Sequence, residues 1–116
     1  MTPEGRVKNE VKKALAGYGV VPFSDVVSGK AVEYDGFYYM PVAGPFAVHG
    51  VHDFVGCWHG IFWSLETKAP DNPEDATKHQ EKFHEAVTGS GGIAFTGVRD
   101  ASAVSALATI IHDRTQ

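Results

Sequence analysis

Cysteine is almost absent from the sequence, and this limits the sites that the chain can build. Cys57 is the single cysteine among 116 residues, which excludes a disulfide within the chain and a Cys-rich zinc site. A chain of this length corresponds to one domain, residues 1–116, with one hydrophobic core. Hydrophobic residues make up 43% of it and charged residues 21%, which is typical of a globular protein rather than a disordered or fibrous one.

Long apolar segments are missing as well. No run of residues approaches the ~20 apolar positions that a membrane-spanning helix needs. The first residues, MTPEGRVKNEVKK, contain no apolar stretch of the kind found in secretory signals. We therefore expect a soluble, cytoplasmic protein without a membrane partner.

An excess of basic residues is also missing. Lys and Arg number 10 against 14 Asp and Glu, so the formal net charge is −4. Domains that coat nucleic acid electrostatically are usually basic, and the charge argues against a protein of that class. It does not argue against a protein that contacts DNA where a metal ion supplies positive charge.

Three common catalytic motifs are absent: H-E-x-x-H, the Walker A loop and G-x-S-x-G. The zincin, P-loop and serine hydrolase classes therefore have no support. Among the six histidines, His79 and His84 are five apart, about 140° around a helix, and do not share a face. His49 and His52 precede Asp53, where they either contact a metal or phosphate or serve in packing or at the surface, and we favour the second role.

The hydrophobic pattern predicts an α/β chain in the order α-β-β-β-α-β-α. Thr2 is the expected N-cap and Pro3 the first residue of a helix that ends at Gly17–Gly19. Residues 20–36 mix β-branched runs with turn formers, so we expect a hairpin or an ordered loop there. The remaining predicted elements are strands at 37–42, 51–58, 61–68 and 93–98, a surface loop at 43–50, a helix at 75–88, and a last helix capped by Asp100 or Ser102.

A two-residue turn at His59-Gly60 sets the register of the two strands that flank it. The turn pairs Trp58 with Ile61, and counting outward along both strands pairs Asp53 with Glu66. Residues directly opposed on antiparallel strands have Cβ atoms about 5 Å apart. The turn length therefore predicts two neighbouring carboxylates at the far end of the hairpin.

Opposed carboxylates destabilise a sheet, or one of them takes a raised pKa, unless a cation lies between them. Alternation along strand 61–68 puts Lys68 on the same face as Glu66 and Thr67 on the other face. Two acids and a lysine suit hydrolysis of a phosphodiester, with the carboxylates holding Mg²⁺ and the lysine steadying the attacking water. Glu4 and Gln80 each lie on the apolar stripe of a predicted helix and could reach the same place.

Simpler interpretations of these residues stay open. Glu and Lys alternate on many exposed strands, where Glu66 and Lys68 would only pair with each other. Glu4 would be favourable at a helix N-terminus in any case. Gln80 would be a partly exposed helix residue.

The same residues belong to segments that resemble the VRR-NUC branch of the PD-(D/E)xK nuclease superfamily, and its small stand-alone bacteriophage members in particular. These segments are T-P-E-G-R-V-K (2–8), F-Y-Y-M-P-V (37–42), G-V-H-D-F (50–54), I-F-W-S-L-E-T-K-A-P (61–70), Gln80 and G-G-I-A-F (91–95). The resemblance covers nearly the whole chain except residues 20–36, which look like an insertion. One departure is His52, because the superfamily commonly has proline before the aspartate.

The resemblance implies a restriction-endonuclease-like core, with a mixed central sheet flanked by helices, and a Mg²⁺-dependent endodeoxyribonuclease in which Mn²⁺ can substitute. It implies branched DNA as substrate, as for Holliday-junction resolvases, action as a homodimer, and the host cytoplasm if the protein is phage-encoded. The implied catalytic residues are Asp53, Glu66 and Lys68, supported by Gln80 and Glu4. The implied metal ligands are Asp53, Glu66 and the backbone carbonyl of Thr67, with Glu4 as a further candidate. The residues available for DNA phosphates are Lys8, Lys12, Lys13, Lys30, Lys78 and Lys82.

A protein of a different class would also fit the composition: a non-catalytic module that binds protein or DNA and has a structural acidic pair. Its partner surface would be aromatic, drawn from Phe37, Tyr38, Tyr39, Phe46 and Trp58. The hairpin register discriminates between the two classes, because a shift of one residue would turn the two carboxylates to opposite faces.

Overall fold

A mixed five-stranded sheet with helices packed against it organises the chain, which a computed structural model describes for residues 1–116. The elements are α1 (Pro3–Gly17), β1 (Val20–Pro22), α2 (Phe23–Val27), β2 (Gly36–Tyr39), β3 (Phe54–Trp58), β4 (Ile61–Thr67), α3 (Lys78–Gly89), β5 (Ile93–Val98) and α4 (Ser102–Arg114). The strand order follows the sequence, β1 to β5. The pairs β2–β3 and β3–β4 are antiparallel, whereas β1–β2 and β4–β5 are parallel. The expected mixed α/β architecture is confirmed.

The hydrophobic core joins α1 and α4 to one face of the sheet. Its buried members include Val7, Val11 and Leu15 of α1, Val104, Leu107 and Ile111 of α4, and Phe54, Trp63, Leu65 and Ile93 of the sheet. Because successive strand residues point to opposite faces, Ser64 and Glu66 point away from this core. That second face is covered at β4 and β5 by α3.

The first helix forms where the sequence predicts it. The Thr2 side chain caps it by accepting a hydrogen bond from the Gly5 backbone N–H at 3.0 Å, and Pro3 occupies the first turn. The helix ends at Gly17. Its first turn lies near the open end of the β3–β4 hairpin, where Lys8 contacts the residue before β3.

The turn between β3 and β4 confirms the predicted register. His59 and Gly60 both have positive φ, 48° and 81°, as a two-residue type I′ turn requires. Trp58 pairs with Ile61, and the ladder continues outward to Phe54 opposite Leu65.

Residues 20–36 differ from the expected hairpin or loop. β1 pairs with β2 in the parallel direction, with Val21 opposite Phe37, and the short helix α2 connects them. Pro22 ends the strand and precedes the helix, because a proline lacks the N–H that a continued ladder needs and fits only an edge strand. The element order is therefore α-β-α-β-β-β-α-β-α, with two more elements than expected.

The strands on either side of the 43–50 loop are shorter than predicted. β2 ends at Tyr39 rather than at residue 42, and β3 begins at Phe54 rather than at residue 51. Pro41 offers no N–H to extend β2, and the cross-strand pairing stops at Tyr39 opposite Val55. The segment 40–53 is consequently free to leave the sheet and approach α3.

The last two helices begin at different residues from those predicted. α3 begins at Lys78 rather than at residue 75, because the Thr77 side chain caps it. α4 has Ala101 at the N-cap position, without a side-chain cap. Asp100 accepts the Ser102 backbone N–H at 2.9 Å, so its side chain satisfies an N–H at the start of α4 from one residue before the N-cap position, and Ser102 is the first residue of the helix.

The aromatic residues considered for a partner surface are split between core and solvent. Tyr38 and Trp58 are buried in the core, so the prediction that they line a surface is wrong. Tyr39 and Phe46 are exposed, and Phe46 is 99% exposed. No helix in the structure has the length and hydrophobicity needed to cross a membrane.

Candidate active site

The open end of the β3–β4 hairpin brings together the polar residues that the sequence singled out. Asp53 directly precedes β3, Glu66 lies near the end of β4, and Lys68 follows β4. Extending the confirmed register by one pair beyond Phe54 and Leu65 places Asp53 opposite Glu66, and the Asp53 backbone N–H donates to Oε1 of Glu66 at 3.1 Å. Gln80 reaches the same point from the first turn of α3. We refer to Asp53, Glu66, Lys68 and Gln80 as the acidic cluster.

Asp53 and Thr67 contact each other through two hydrogen bonds. Oδ2 of Asp53 accepts the Thr67 backbone N–H at 3.0 Å and the Thr67 hydroxyl at 2.5 Å. Strict alternation put the Thr67 side chain on the face opposite Glu66, and the contact with Asp53 shows that this geometry does not hold at the strand end. The register between β4 and β5 also shifts here, because two steps along β4 from Leu65 to Thr67 oppose three along β5 from Phe95 to Val98. The extra residue is therefore in β5, where Gly97 has a φ of +64°, and the departure from alternation at Thr67 is explained instead by the position of Asp53 before β3.

Glu66 is the most buried acid of the cluster, at 3% exposed. Burial, followed by the nearby charge of Asp53, raises its pKa from 4.5 to about 7, with a smaller contribution from Glu4. Lys68 and the Asp53 backbone N–H act in the opposite direction. Like-charged acids in a poorly hydrated site hold a proton, or a cation in its place.

Lys68 lies between the carboxylate and the amide of the cluster. Its ammonium is 3.7 Å from Oε2 of Glu66 and donates to Oε1 of Gln80 at 3.0 Å. The residue is buried, and its backbone N–H is bonded to the carbonyl of Val98 in β5. These contacts therefore hold the lysine side chain in one position.

Gln80 connects α3 to both charged groups. Its side-chain N–H donates to Oε2 of Glu66 at 2.9 Å, while its oxygen accepts from Lys68 and from the Thr77 backbone N–H. Thr77 and Gln80 together form a capping box at the start of α3. The same interaction that begins the helix thus orients the amide toward the acids.

The first turns of α1 contribute two further charges. Glu4 is half-buried, and its charge acts on the pKa of Glu66. Lys8, one turn later, has its ammonium 3.7 Å from Oδ1 of Asp53. In the sequence Lys8 was only one of six lysines available for phosphates, although its position four residues after Glu4 puts both on one helix face.

His52 is fully buried, and both of its ring nitrogens are occupied by protein groups. Nδ1 lies 2.9 Å from the Ser64 hydroxyl, and Nε2 lies 2.9 Å from the backbone carbonyl of Gln80. Burial lowers the pKa of His52, and the charges of His84 and Lys68 act in the same direction. Because the ring is buried and both nitrogens already have protein partners, neither nitrogen is free for a metal or a phosphate. The position of His52 agrees with the packing role favoured from the sequence.

The donor groups of the cluster are of the kind that Mg²⁺ prefers. Carboxylate oxygens and a backbone carbonyl are hard ligands, and Mg²⁺ keeps several waters rather than requiring a full protein cage. No three Asp, Glu, His or Cys side chains converge in an arrangement that could hold a metal ion, so Glu4 does not complete a three-acid site with Asp53 and Glu66. The burial of Glu66 beside Asp53, which raises the pKa of Glu66 to about 7, fits a divalent cation at this place, because such an ion would replace the proton.

A large cavity lies away from the acidic cluster. It has a volume of about 790 Å³ and is lined by Tyr18, Trp58, His59, the C-terminal half of α4 and the two residues after that helix. This is the turn end of the hairpin, and the cavity contains no residue of the acidic cluster.

Comparison with known proteins finds no family model, no curated protein and no solved structure that this chain matches.

Proposed function

We propose that this chain is a Mg²⁺-dependent endonuclease that hydrolyses phosphodiester bonds in DNA, with the acidic cluster as its active site. The observation that carries the proposal is the buried Glu66, which is bonded to the Asp53 backbone and linked through Gln80 to Lys68. The sheet order and the position of this cluster at one end of a hairpin are consistent with a PD-(D/E)xK core of the VRR-NUC type, which the sequence segments resemble.

Each residue of the cluster has a role that follows from its contacts. Asp53, Glu66 and the Thr67 carbonyl would hold the metal, which when bound supplies charge stabilisation to the phosphate and lowers the pKa of water. Lys68 has an ammonium held beside Glu66, where it can orient the attacking water and offset negative charge. Gln80 and the Thr67 hydroxyl hold the two carboxylates in place.

DNA as the substrate is supported by the basic residues on the elements that build the site. Lys8 stands at Asp53 on α1, and Lys78 begins α3 two residues before Gln80. Such residues would neutralise phosphates around an otherwise acidic centre, so binding would weaken with salt. The net charge of −4 fits brief local contact better than extended coating of a duplex.

Branched DNA and a homodimer complete the proposal. The chain contributes one acidic cluster, and resolving a junction requires a cut in each of two strands. A symmetric pair of chains would supply the two sites in fixed relation, since cyclic dimers are the commonest closed assembly.

The proposal is tested by cleavage of a four-way junction and of the matching linear duplex, in Mg²⁺, in Mn²⁺ and in EDTA. Wild type is expected to cut in either metal and not in EDTA, and Asp53→Ala is expected to cut at least 100-fold more slowly. Asp113→Ala, an exposed acid at the end of α4, is the matched control and should cut like wild type. An active Asp53→Ala protein would overturn the assignment of the site.

A non-catalytic interaction module remains the second candidate because of the segment between β2 and β3. Val42, Phe46 and Val48 are largely exposed on this segment, which carries no Asp, Glu, Lys or Arg between Met40 and His52. Exposed apolar side chains close together are typical of contact surfaces. Binding of a partner that depends on Phe46, without metal-dependent cleavage of either DNA, would favour this module over the nuclease.

A further inference from the structure

The hydrogen bonds of His52 tie the residue before Asp53 to two elements at once. Gln80 offers a backbone carbonyl, which can only accept, so Nε2 of His52 carries the hydrogen and donates at 2.9 Å. In the neutral ring Nδ1 then accepts from the Ser64 hydroxyl, also at 2.9 Å. One imidazole thereby joins the end of the 40–53 segment to β4 and to the first turn of α3.

The same segment touches α3 a second time at Gly50. A Cβ built on Gly50 would lie 2.4 Å from the carbonyl oxygen of His79, and Gly50 has a φ of +98°. The backbone of residues 50–52 therefore lies directly on the start of α3, where a side chain at position 50 does not fit. The ring of His52 also packs edge-on against Phe83, with centroids 4.8 Å apart.

These contacts act on the group that orients the acids. Gln80 receives His52 on its backbone carbonyl, while its side chain holds Glu66 and Lys68. Asp53 is the next residue after His52 in the chain. The imidazole thus fixes the separation between one carboxylate of the cluster and the amide that orients the other.

We propose that His52 is a positioning residue, which sets the Gln80 amide relative to Asp53 and thereby determines how tightly the cluster binds a divalent cation. The inference rests on the proposed function, in which the acidic cluster binds a metal ion. Groups that orient metal ligands from outside the coordination shell typically change metal affinity by about 10- to 100-fold when removed.

Two substitutions separate the ring nitrogens. Gln at position 52 can place its amide N–H near the site of Nε2 and keep the bond to the Gln80 carbonyl. Asn is one methylene shorter and reaches only the site of Nδ1, near Ser64. The proposal predicts that His52→Asn weakens Mn²⁺ binding by about 10-fold or more, and that His52→Gln retains affinity within about threefold of wild type.

Two readouts, a control variant and a double substitution distinguish positioning from loss of stability. Mn²⁺ affinity is measured by calorimetry, and the side-chain amide resonances of Gln80 are followed by NMR in metal-free protein. Leu107→Ala, a buried core substitution in α4, is the control that loses stability but should keep wild-type affinity and resonances. In a Gln80→Ala background, which keeps the backbone carbonyl, His52→Asn should cause no further loss of affinity.

The outcomes are decisive in both directions. Equal Mn²⁺ affinity and unchanged Gln80 resonances in His52→Asn would overturn the positioning role, as would an undiminished effect of His52→Asn in the Gln80→Ala background. If His52→Asn does not fold, a His52→Gln protein with displaced Gln80 resonances and weak Mn²⁺ binding overturns it, and one resembling wild type supports it. A wild type that binds no Mn²⁺ and cuts no DNA would overturn the proposed function, and the Gln80 resonances alone would then decide the role of His52.

Discussion

The Thr67 hydroxyl donates a hydrogen bond to Oδ2 of Asp53 at 2.5 Å, beside the Thr67 backbone N–H that binds the same oxygen. This pair of donors leaves Oδ1 of Asp53 to face Lys8 and the open side of the site. One side chain beyond the conventional metal ligands thus fixes which oxygen of Asp53 is available.

Thr67→Val is therefore expected to weaken Mg²⁺ or Mn²⁺ binding by about 10-fold, because it removes the hydroxyl and keeps both the side-chain shape and the backbone donor. Thr67→Ser, which restores the hydroxyl, should recover most of the affinity. Calorimetric Mn²⁺ titrations of the three proteins measure the effect. Equal affinities would show that the backbone N–H alone orients Asp53.

The raised pKa of Glu66 predicts how the stability of the metal-free protein depends on pH. Burial and the charge of Asp53 raise that pKa from 4.5 to about 7. Between pH 4.5 and 7, Glu66 therefore keeps its proton in the folded state and loses it in the unfolded state. The free energy of unfolding contributed by this group is fully present below about pH 4.5 and is lost as pH rises through about 7, by an amount on the order of 3 kcal/mol. Urea unfolding in EDTA at several pH values measures it.

The matched variants for this pH effect are Glu66→Gln and Glu10→Gln. Glu66→Gln removes the titrating group and should flatten the dependence between pH 4.5 and 7, whereas Glu10, exposed on α1, should leave it as in wild type. A dependence that survives in Glu66→Gln would assign it to another group.

Turn length and helix periodicity allow part of the site to be predicted from the sequence. A two-residue turn with Gly60 fixes the register, which is confirmed from Trp58–Ile61 to Phe54–Leu65. One further step puts Asp53 opposite Glu66, and the Asp53 backbone N–H does contact the Glu66 carboxylate. The approach of Gln80 follows from the helical face that it shares with Val87, which is buried.

What the sequence does not predict depends on tertiary geometry. The hydrogen bond between the Thr67 hydroxyl and Asp53 departs from strict alternation, because Asp53 lies before β3 and outside the ladder to which counting applies. The parallel pairing of β1 with β2 depends on contacts between distant residues, while Pro22 and the glycines locally resemble turn formers.

Lys8 is expected to oppose metal binding while aiding DNA binding. Its ammonium lies 3.7 Å from Oδ1 of Asp53, where a divalent cation would be repelled by it. Lys8→Gln should bind Mn²⁺ a few-fold more tightly in the absence of DNA, and it should bind DNA more weakly, with the slope of log K against log salt reduced by about 1. Lys13→Gln, exposed on the same helix, is the control for the Mn²⁺ measurement. Weaker Mn²⁺ binding by Lys8→Gln would mean instead that the lysine orients Asp53 for the metal.

Gly50 is expected to be the glycine whose substitution most disturbs both fold and site. An alanine there would place its Cβ 2.4 Å from the His79 carbonyl oxygen at a φ of +98°, so it has both a backbone clash and an unfavourable backbone conformation. Gly91→Ala has the positive φ of +93° with no atom within 4 Å, and Gly44→Ala has neither problem. We expect Gly44→Ala to have the stability of wild type, Gly91→Ala to lose about 1 kcal/mol or more of the free energy of unfolding, and Gly50→Ala to lose more than Gly91→Ala.

Because the clash would push residues 50–52 off the first turn of α3, Gly50→Ala should also weaken Mn²⁺ binding, whereas Gly91→Ala should not. Equal losses of stability in Gly50→Ala and Gly91→Ala, with unchanged Mn²⁺ affinity, would show that the segment can shift without moving Asp53.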